Sequence, residues 1–346
     1  VLLRIGIGAA GYSPEGVSFV QEAEHLGVDS VWSGEAWGFD ALTPLAFLAA
    51  KTSRVRLGTA IVQLGARTPA ALAMAALSLQ ALSGDRFVLG LGTSGPQVIE
   101  GWHGVRFDRP LRRTQETIEI IRLLVSGGRS SYEGSIYRLP LPGGEGRAIA
   151  SSAPPRPVPI YVASLGPANL ELTGRVADGW IGTAFMPETA EAFLEPLRRG
   201  AVSVGRTLND LDLTVAVTVE FTEDVDEAAR RHARGYAFTM GAMGSETHNF
   251  YNDAFGRQGF ADDVAAVAQL WRTGQRDAAA NRVPLEIGFR TNLLGTPELV
   301  RDRLCSYRDV GVGTLRVGIP GRNLSARLDT LGTLIDLVEE VNAEAG

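Results

Sequence analysis

Ile160-Tyr161-Val162-Ala163-Ser164-Leu165-Gly166-Pro167-Ala168-Asn169-Leu170, followed closely by Val176-Ala177-Asp178-Gly179-Trp180-Ile181-Gly182, reads as a buried strand, a tight turn, a helix and a second buried strand. The turn is short and carries a glycine, and Pro167 opens the helix. Proline is tolerated at the first helical position, where its missing N–H costs nothing. A helix that starts there aims free backbone N–H groups at whatever lies above the strand ends, an arrangement suited to phosphate. The same residues also serve as an ordinary βα turn, and their spacing leaves both readings open.

The rhythm of that unit extends in both directions. Upstream, apolar runs at 3–8, 29–33, 55–61 and 86–91 alternate with helix-like segments at 14–26, 43–51, 68–82 and 109–126. Phe19, Val20, Ala23 and Leu26 share one helical face, as do Ile118, Ile121, Leu124 and Val125. Downstream, 213–220 and 314–318 supply a seventh and an eighth strand, with a helix over 296–309 before the last. Thr43, Thr68 and Thr296 each precede a proline, the pattern of an N-cap followed by a proline at N1. Eight short buried strands with helices between them predict an α/β fold, a (β/α)8 TIM barrel forming a single domain over 1–346. Two stretches are too long for simple connections: 131–157 after the fourth strand, with a hairpin at 131–137, and 235–284 after the seventh helix. Insertions of that length often cover sites.

The chain has 346 residues, 45% hydrophobic and 21% charged, which is ample for a large core. Its net charge of −6 carries no basic footprint, so no nucleic-acid partner is expected. No apolar run approaches the ~20 residues that span a bilayer, and 1–7 reads as a strand, not an export signal. Cys305 is the single cysteine, which excludes an internal disulfide and a cysteine-rich metal site. A reducing cytoplasm is the expected compartment. Lys51 is the only lysine among 33 basic residues, a codon bias pointing to a GC-rich, soil-type actinobacterial genome. Any anionic ligand must therefore be held by arginine, backbone N–H or hydroxyl groups.

Gly90-Leu91-Gly92-Thr93-Ser94-Gly95 fits GxGxxG, yet Pro96, Gly101 and Gly104 follow and no clean helix begins there. That context argues against a dinucleotide site. In a barrel the same residues form a catalytic-end loop whose glycines admit a flat ligand. Glu35-Ala36-Trp37-Gly38-Phe39-Asp40 lies just past the second strand, on the expected active face. Burial beside Trp37 would make Glu35 a candidate proton donor; its alternative is a charge that caps or pairs within the loop. Trp102-His103 follows the fourth strand, and His248 lies in the second insertion. The four histidines have no metal-ligand spacing, and no nucleophile elbow or cysteine nucleophile is present. A pocket without such machinery suits chemistry done by a bound cofactor.

Taken together, Val31-Trp32-Ser33-Gly34-Glu35-Ala36-Trp37-Gly38-Phe39-Asp40, Leu57-Gly58-Thr59-Ala60-Ile61, the Gly90 to Gly95 run, Ala163-Ser164-Leu165-Gly166-Pro167, Gly241-Ala242-Met243-Gly244-Ser245 and Asn249-Phe250-Tyr251-Asn252 make the chain resemble the bacterial luciferase-like superfamily. Within it the resemblance is to the coenzyme F420-dependent oxidoreductases, and it covers nearly the whole chain. The resemblance implies a deazaflavin across the C-terminal mouth of the barrel. It implies a non-proline cis peptide at Ala60–Ile61 behind the ring, with Thr93, Ser94 and Gly95 contacting ring or ribityl chain. Ala163, Ser164, Leu165, Gly166 and Pro167 would hold the phosphate. Trp37, Trp102 and Met243 would line the substrate pocket, and Glu35, with His103 and His248 in reserve, would handle the proton. Some sugar-phosphate dehydrogenases of this branch carry a His where Glu35-Ala36-Trp37 stands, a Glu within 94–97, and lysines that hold the substrate's phosphate. None of these is present here, so glucose-6-phosphate is not the expected substrate. Hydride exchange between F420 and a small organic substrate is the expected activity. An FMN-dependent luciferase-like monooxygenase and a catalytically silent cofactor-binding protein are the alternatives. A homodimer is expected, because 69–82 is apolar nearly all round; no metal is expected.

Overall fold

The computed structural model describes residues 1–9, 12–243 and 249–344. Eight parallel strands close into a barrel: β1 (Arg4–Gly8), β2 (Ser30–Ser33), β3 (Arg56–Thr59), β4 (Phe87–Gly92), β5 (Ile160–Ala163), β6 (Gly179–Gly182), β7 (Asp212–Phe221) and β8 (Thr314–Gly318). β8 pairs with both β7 and β1, which completes the ring. The chain is thus a (β/α)8 TIM barrel. Around it run α1 (Pro14–Leu26), α2 (Leu42–Ala49), α3 (Pro69–Ser83), α4 (Pro110–Val125), α5 (Pro167–Val176), α6 (Glu191–Val202), α7 (Val225–Ala242) and α8 (Leu324–Ala343), with further helices between α7 and β8.

Side chains alternate along each strand between the helix layer and the barrel interior. Ile7, Val162, Val217 and Val317 point outward into the apolar core shared with the helices. Their neighbours of opposite parity fill the barrel. Trp32, Val88, Tyr161 and Ile181 pack together in its middle. Trp32 occupies that space because two neighbours have no side chain: a Cβ on Gly6 would lie 2.8 Å from its Nε1, and one on Gly58 2.3 Å from its ring. Its Nε1 donates to Ser30 Oγ at 2.9 Å, so the one polar atom of the indole is satisfied.

Below this cluster the N-terminal strand ends are sealed by charge. Arg4, Arg56, Asp212 and Thr314 are the first residues of β1, β3, β7 and β8. Arg4 pairs with Asp212 at 2.8 Å and Arg56 with Asp29 at 2.6 Å. Tyr161 Oη donates to Asp212 at 2.8 Å, and Thr314 Oγ1 donates to it at 3.2 Å. Burial and the neighbouring Asp212 push the Tyr161 phenol above its ordinary pKa, so it stays a donor. Glu24 of α1 braces the same end, accepting the N–H groups of Ser53, Arg54 and Val55 at 2.6–2.9 Å.

The opposite end is open. Gly8, Ala60, Ile61, Ala163, Ala216, Thr218, Arg316 and Gly318, all of inward parity or at the rim, are partly or fully exposed. The first insertion forms a small hairpin whose second strand lies just beyond the expected 131–137, with Tyr132–Glu133 antiparallel to Arg138–Leu139. Buried Glu116 of α4 pins it by accepting the N–H groups of Ser135, Ile136 and Tyr137. The second insertion starts later than its sequence suggests. Gly235 lies on the solvent side of α7, whose buried stripe Ala229, Ala233, Ala237 and Met240 continues through it to Ala242. From there Phe255, Phe260, Val264, Val267 and Ile287 form a second small core against α7. Of the three Thr-Pro pairs, only Thr68 caps through its side chain, accepting from Ala71 N at 3.2 Å. Thr43 already lies inside α2, where Asp40 takes over by accepting from the N–H groups of Leu42 and Thr43.

Candidate active site

The mouth is built on the Ala60–Ile61 peptide, which is cis. It is held on its outer side by neighbouring loops: Ala60 N donates to Ser33 O at 2.6 Å and Glu35 N to Ile61 O at 3.2 Å. The glycines of the GxGxxG run serve this same feature. A Cβ on Gly90 would stand 1.8 Å from Thr59 O, and one on Gly92 would stand 2.9 Å from Ile61 Cγ1. They make room for the protein's own β3 and Ile61. The expectation that they admit a flat ligand is corrected at these two positions. Past them, Thr93, Ser94 and Gly95 are half-buried at the rim, with Ser94 at φ +56° and Thr93 Oγ1 donating to Ser94 O at 3.3 Å.

Glu35 is a brace. Its Oε1 accepts from Gln63 N at 2.9 Å and from Arg67 Nη1 at 2.7 Å, and its Oε2 accepts from Ala41 N at 3.1 Å. Its side chain is only 8% exposed. Three of the carboxylate's roughly four acceptor lobes are thus taken by the protein's own donors, with Arg67 as its ion-pair partner. Gln63 links this brace to the loop after β4. Its Nε2 donates to the carbonyls of Glu35 and Ala36, which fixes the amide's orientation. Its Oε1 must then accept, and His103 Nε2 lies 2.8 Å away. The neutral imidazole therefore carries its proton on Nε2, leaving Nδ1 as a bare acceptor.

At the start of α5 the backbone is the donor. Among the described residues, the N–H groups of Leu165, Gly166 and Ala168 make no hydrogen bond to the protein, and Pro167 has none to offer. The Ser164 hydroxyl faces the other way: it is buried and bonds Thr173 Oγ1 at 2.9 Å, and Thr173 in turn donates to Asn169 O. Trp180 Nε1 donates to Ser164 O at 3.0 Å, locking the turn from behind. Ser164 thus shapes the turn, and its side chain is unavailable to a ligand; Ala163 is half-buried at the strand end. Arg257 reaches the same turn from the second insertion and donates to Leu165 O at 2.5 Å. Among the described residues its Nε is buried without a partner, and burial pulls its guanidinium below the usual pKa, offset in part by Asp253. Asn169 Oδ1, in the first turn of α5, is likewise buried and unpartnered. No local pattern singles out Arg257, which sits 92 residues along the chain from the turn it meets.

Aromatic residues stand on the rim. Trp37, Phe39 and Trp102 are 55%, 69% and 65% exposed, and Tyr12 stacks on Phe39 at 4.3 Å. Tyr12 Oη lies 3.4 Å from Ser33 Oγ at the top of β2, so this stack is anchored to the barrel. Met243 is half-buried just beyond α7, and His248 lies outside the described residues. Among the described residues no cluster of His, Cys, Asp and Glu could hold a metal, and no helix is long and apolar enough to cross a membrane.

Comparison with known proteins bears on this mouth. A family model for luciferase-like monooxygenases matches residues 4–314. A Mycobacterium tuberculosis protein provisionally named a coenzyme F420-dependent oxidoreductase is 39% identical over 319 residues, covering 90% of this chain and 92% of that one. A 5,10-methylenetetrahydromethanopterin reductase of Methanolobus tindarius is 28% identical over 91% of this chain and 93% of its own. Among solved structures, the coenzyme F420-dependent tetrahydromethanopterin reductase of Methanopyrus kandleri superposes with a TM-score of 0.78 at 22% identity, covering 96% of this chain and 98% of that one.

Proposed function

Because the chain belongs to the luciferase-like monooxygenase family, we propose that it is an oxidoreductase that holds coenzyme F420 across the barrel mouth and exchanges a hydride with a small organic substrate. The observation that carries this reading is the start of α5. Free N–H groups of Leu165, Gly166 and Ala168, the positive end of the helix dipole and the partly unpartnered Arg257 converge on one turn. That donor set fits the cofactor's phosphate, and it uses no lysine.

When bound, F420 supplies the hydride donor and acceptor at a ring carbon. The chain's own residues do the rest. Ala60 and Ile61, packed against Trp32 and Tyr161, give the ring a rigid wall. Thr93, Ser94 and Gly95 edge it on the β4 side. Glu35, Gln63 and Arg67 hold three loops at fixed spacing, so the expected proton-handling role of Glu35 becomes one of positioning. His103 Nδ1 is the acceptor left open by this network, and it is the group we assign to the substrate's proton. Trp37, Trp102 and Met243 shield the site from water on the outer side. Outward-facing Phe47, Met74 and Leu82, exposed by 48%, 68% and 62%, support a homodimer through α2 and α3. A cytoplasmic setting suits a chain whose single cysteine, Cys305, is free.

Titrating the purified protein with F420 and with FMN, each followed by its own fluorescence, tests the reading. F420 is expected to bind the more tightly. FMN binding without detectable F420 binding would move the chain to the monooxygenase reading instead.

A further inference from the structure

Charge inside the barrel does not balance. At the closed end two arginines, Arg4 and Arg56, face two aspartates, Asp29 and Asp212. Arg316 is a third interior arginine. It sits in the middle of β8, in register with Gly6 of β1 and Ala216 of β7, and shares their inward parity. Among the described residues no carboxylate lies within 4 Å of it. Its Nη2 leans on the Gly182 carbonyl at 3.4 Å, a long and weak bond. Among the described residues its Nε, shut off from water, has no partner, and Nη1 makes no hydrogen bond.

An isolated cation in such a place is costly, and proteins pair buried charges. Burial pushes the Arg316 guanidinium down to about 10, which still leaves it charged at neutral pH. The position explains what would pair it. Its neighbour Ala216 carries only a methyl group, the space over Gly6 is taken by Trp32, but a Cβ on Gly8 would meet nothing within 4 Å, and Gly318 and Thr218 above it are open. The guanidinium is therefore set in the floor of the open mouth, on the side of the barrel opposite the β3 and β4 wall.

We propose that Arg316 is a specificity-determining residue that receives the carboxylate of an organic-acid substrate in the barrel floor. The proposal rests on the oxidoreductase reading and narrows its substrate to a carboxylate-bearing molecule. A guanidinium presents parallel N–H donors that match a carboxylate, and here Nη1 makes no hydrogen bond among the described residues. Anchoring the acid at the floor leaves the remainder of the molecule to extend toward the rim, where His103 lies and the cofactor would be held.

The test uses the protein without cofactor, so it does not depend on F420 binding. Wild type and Arg316→Met are titrated calorimetrically with sodium benzoate, sodium succinate and sodium pyruvate, and with benzamide as the uncharged match of benzoate. At least one carboxylate is expected to bind wild type, benzamide is expected not to, and the substitution is expected to weaken the carboxylate at least tenfold. F420 titration of the same two proteins is expected to give equal affinities, and circular dichroism equal folds. Arg316→Lys, which keeps the charge but loses the fork, is expected to fall between the two. Failure of all three carboxylates to bind wild type overturns the proposal, as does equal binding to the variant. A tenfold loss of F420 affinity in Arg316→Met also overturns it, since the arginine would then serve the cofactor. If neither protein binds F420, the oxidoreductase reading fails, and the carboxylate comparison still decides the role of Arg316.

Discussion

The two ends of this barrel treat the same residue type in opposite ways. At the N-terminal strand ends Arg4 and Arg56 are tied to Asp29 and Asp212, and Tyr161 and Thr314 donate into the same aspartate. At the mouth, Arg316 and Arg257 each keep a buried nitrogen with no partner among the described residues. Paired charge seals a floor, whereas unpaired donors stay available for a ligand. Charge is paired off at one end and leaves buried donors open at the other, the pattern expected where a site is held against the fold's own preferences.

The largest effect is predicted at the sealed end. Asp212→Asn leaves Arg4 and Arg56 short of a carboxylate that is only 11% exposed. Breaking such a pair by removing one partner costs about 3–5 kcal/mol when both are buried. Arg4 is 40% exposed, so about 3 kcal/mol is expected, read as a drop in the urea midpoint at unchanged slope. F420 affinity of the folded protein is expected to stay at the wild-type value. A loss of affinity matching the loss of stability would erase the division between the two ends.

Next in size is Glu35→Gln, which probes the exception at the mouth. Glu35 is paired there, to Arg67, and it ties the loop after β2 to the loop after β3. Losing a charged hydrogen bond of this kind costs about 2 kcal/mol. F420 binding is expected to weaken about tenfold, which corresponds to 1.4 kcal/mol. The pH dependence of turnover is expected to keep its shape, because His103 remains. Loss of a limb of the pH profile would restore Glu35 to a proton-transfer role.

A third prediction separates the ends by pH. Burial raises the carboxyl pKa of Glu24, but the N–H groups of Val55, Arg54 and Ser53 outweigh it and hold it below the ordinary value. A group depressed in the folded state contributes stability above its unfolded pKa of about 4.3, and the contribution is lost as pH falls through the folded value. Wild-type stability should therefore drop as pH falls below about 4, and Glu24→Gln should show a shallower drop from a start about 1 kcal/mol lower. Parallel curves for the two proteins would remove Glu24 from the bracing of this end.

The sequence displays this architecture unevenly. Strands such as Leu89 and Leu91 in β4 announce themselves because both faces are covered and few polar residues interrupt them. The start of α5 was legible for a local reason, since Gly166 and Pro167 set the cap within two residues. The partners of Glu35 and Ser164 were less so, pairing within the loop having stood for Glu35 only as an alternative. Beyond Ala41 in its own loop, Glu35 meets partners 28 and 32 residues away, and the hydroxyl of Ser164 turns back to Thr173. Spacing along the chain says nothing about either. The two unpaired arginines differ. Arg257 had no signal, as it enters from an insertion. Arg316 had one: in Thr314-Leu315-Arg316-Val317-Gly318 it is a charge at inward parity within a buried strand.

That unread signal gives the smallest expected effect, and its sign matters more than its size. Removing a charge from the sealed end should destabilise the protein. Removing Arg316 should not, because the guanidinium has no carboxylate to lose and burial already disfavours it. A methionine of similar length would fill the same interior volume and release that cost. Arg316→Met is therefore expected to gain about 1 kcal/mol, seen as a melting temperature higher by about 2 °C, with ligand binding traded away. A destabilisation comparable to that of Asp212→Asn would mean that Arg316 is paired within the fold after all, and the contrast between the two ends would collapse.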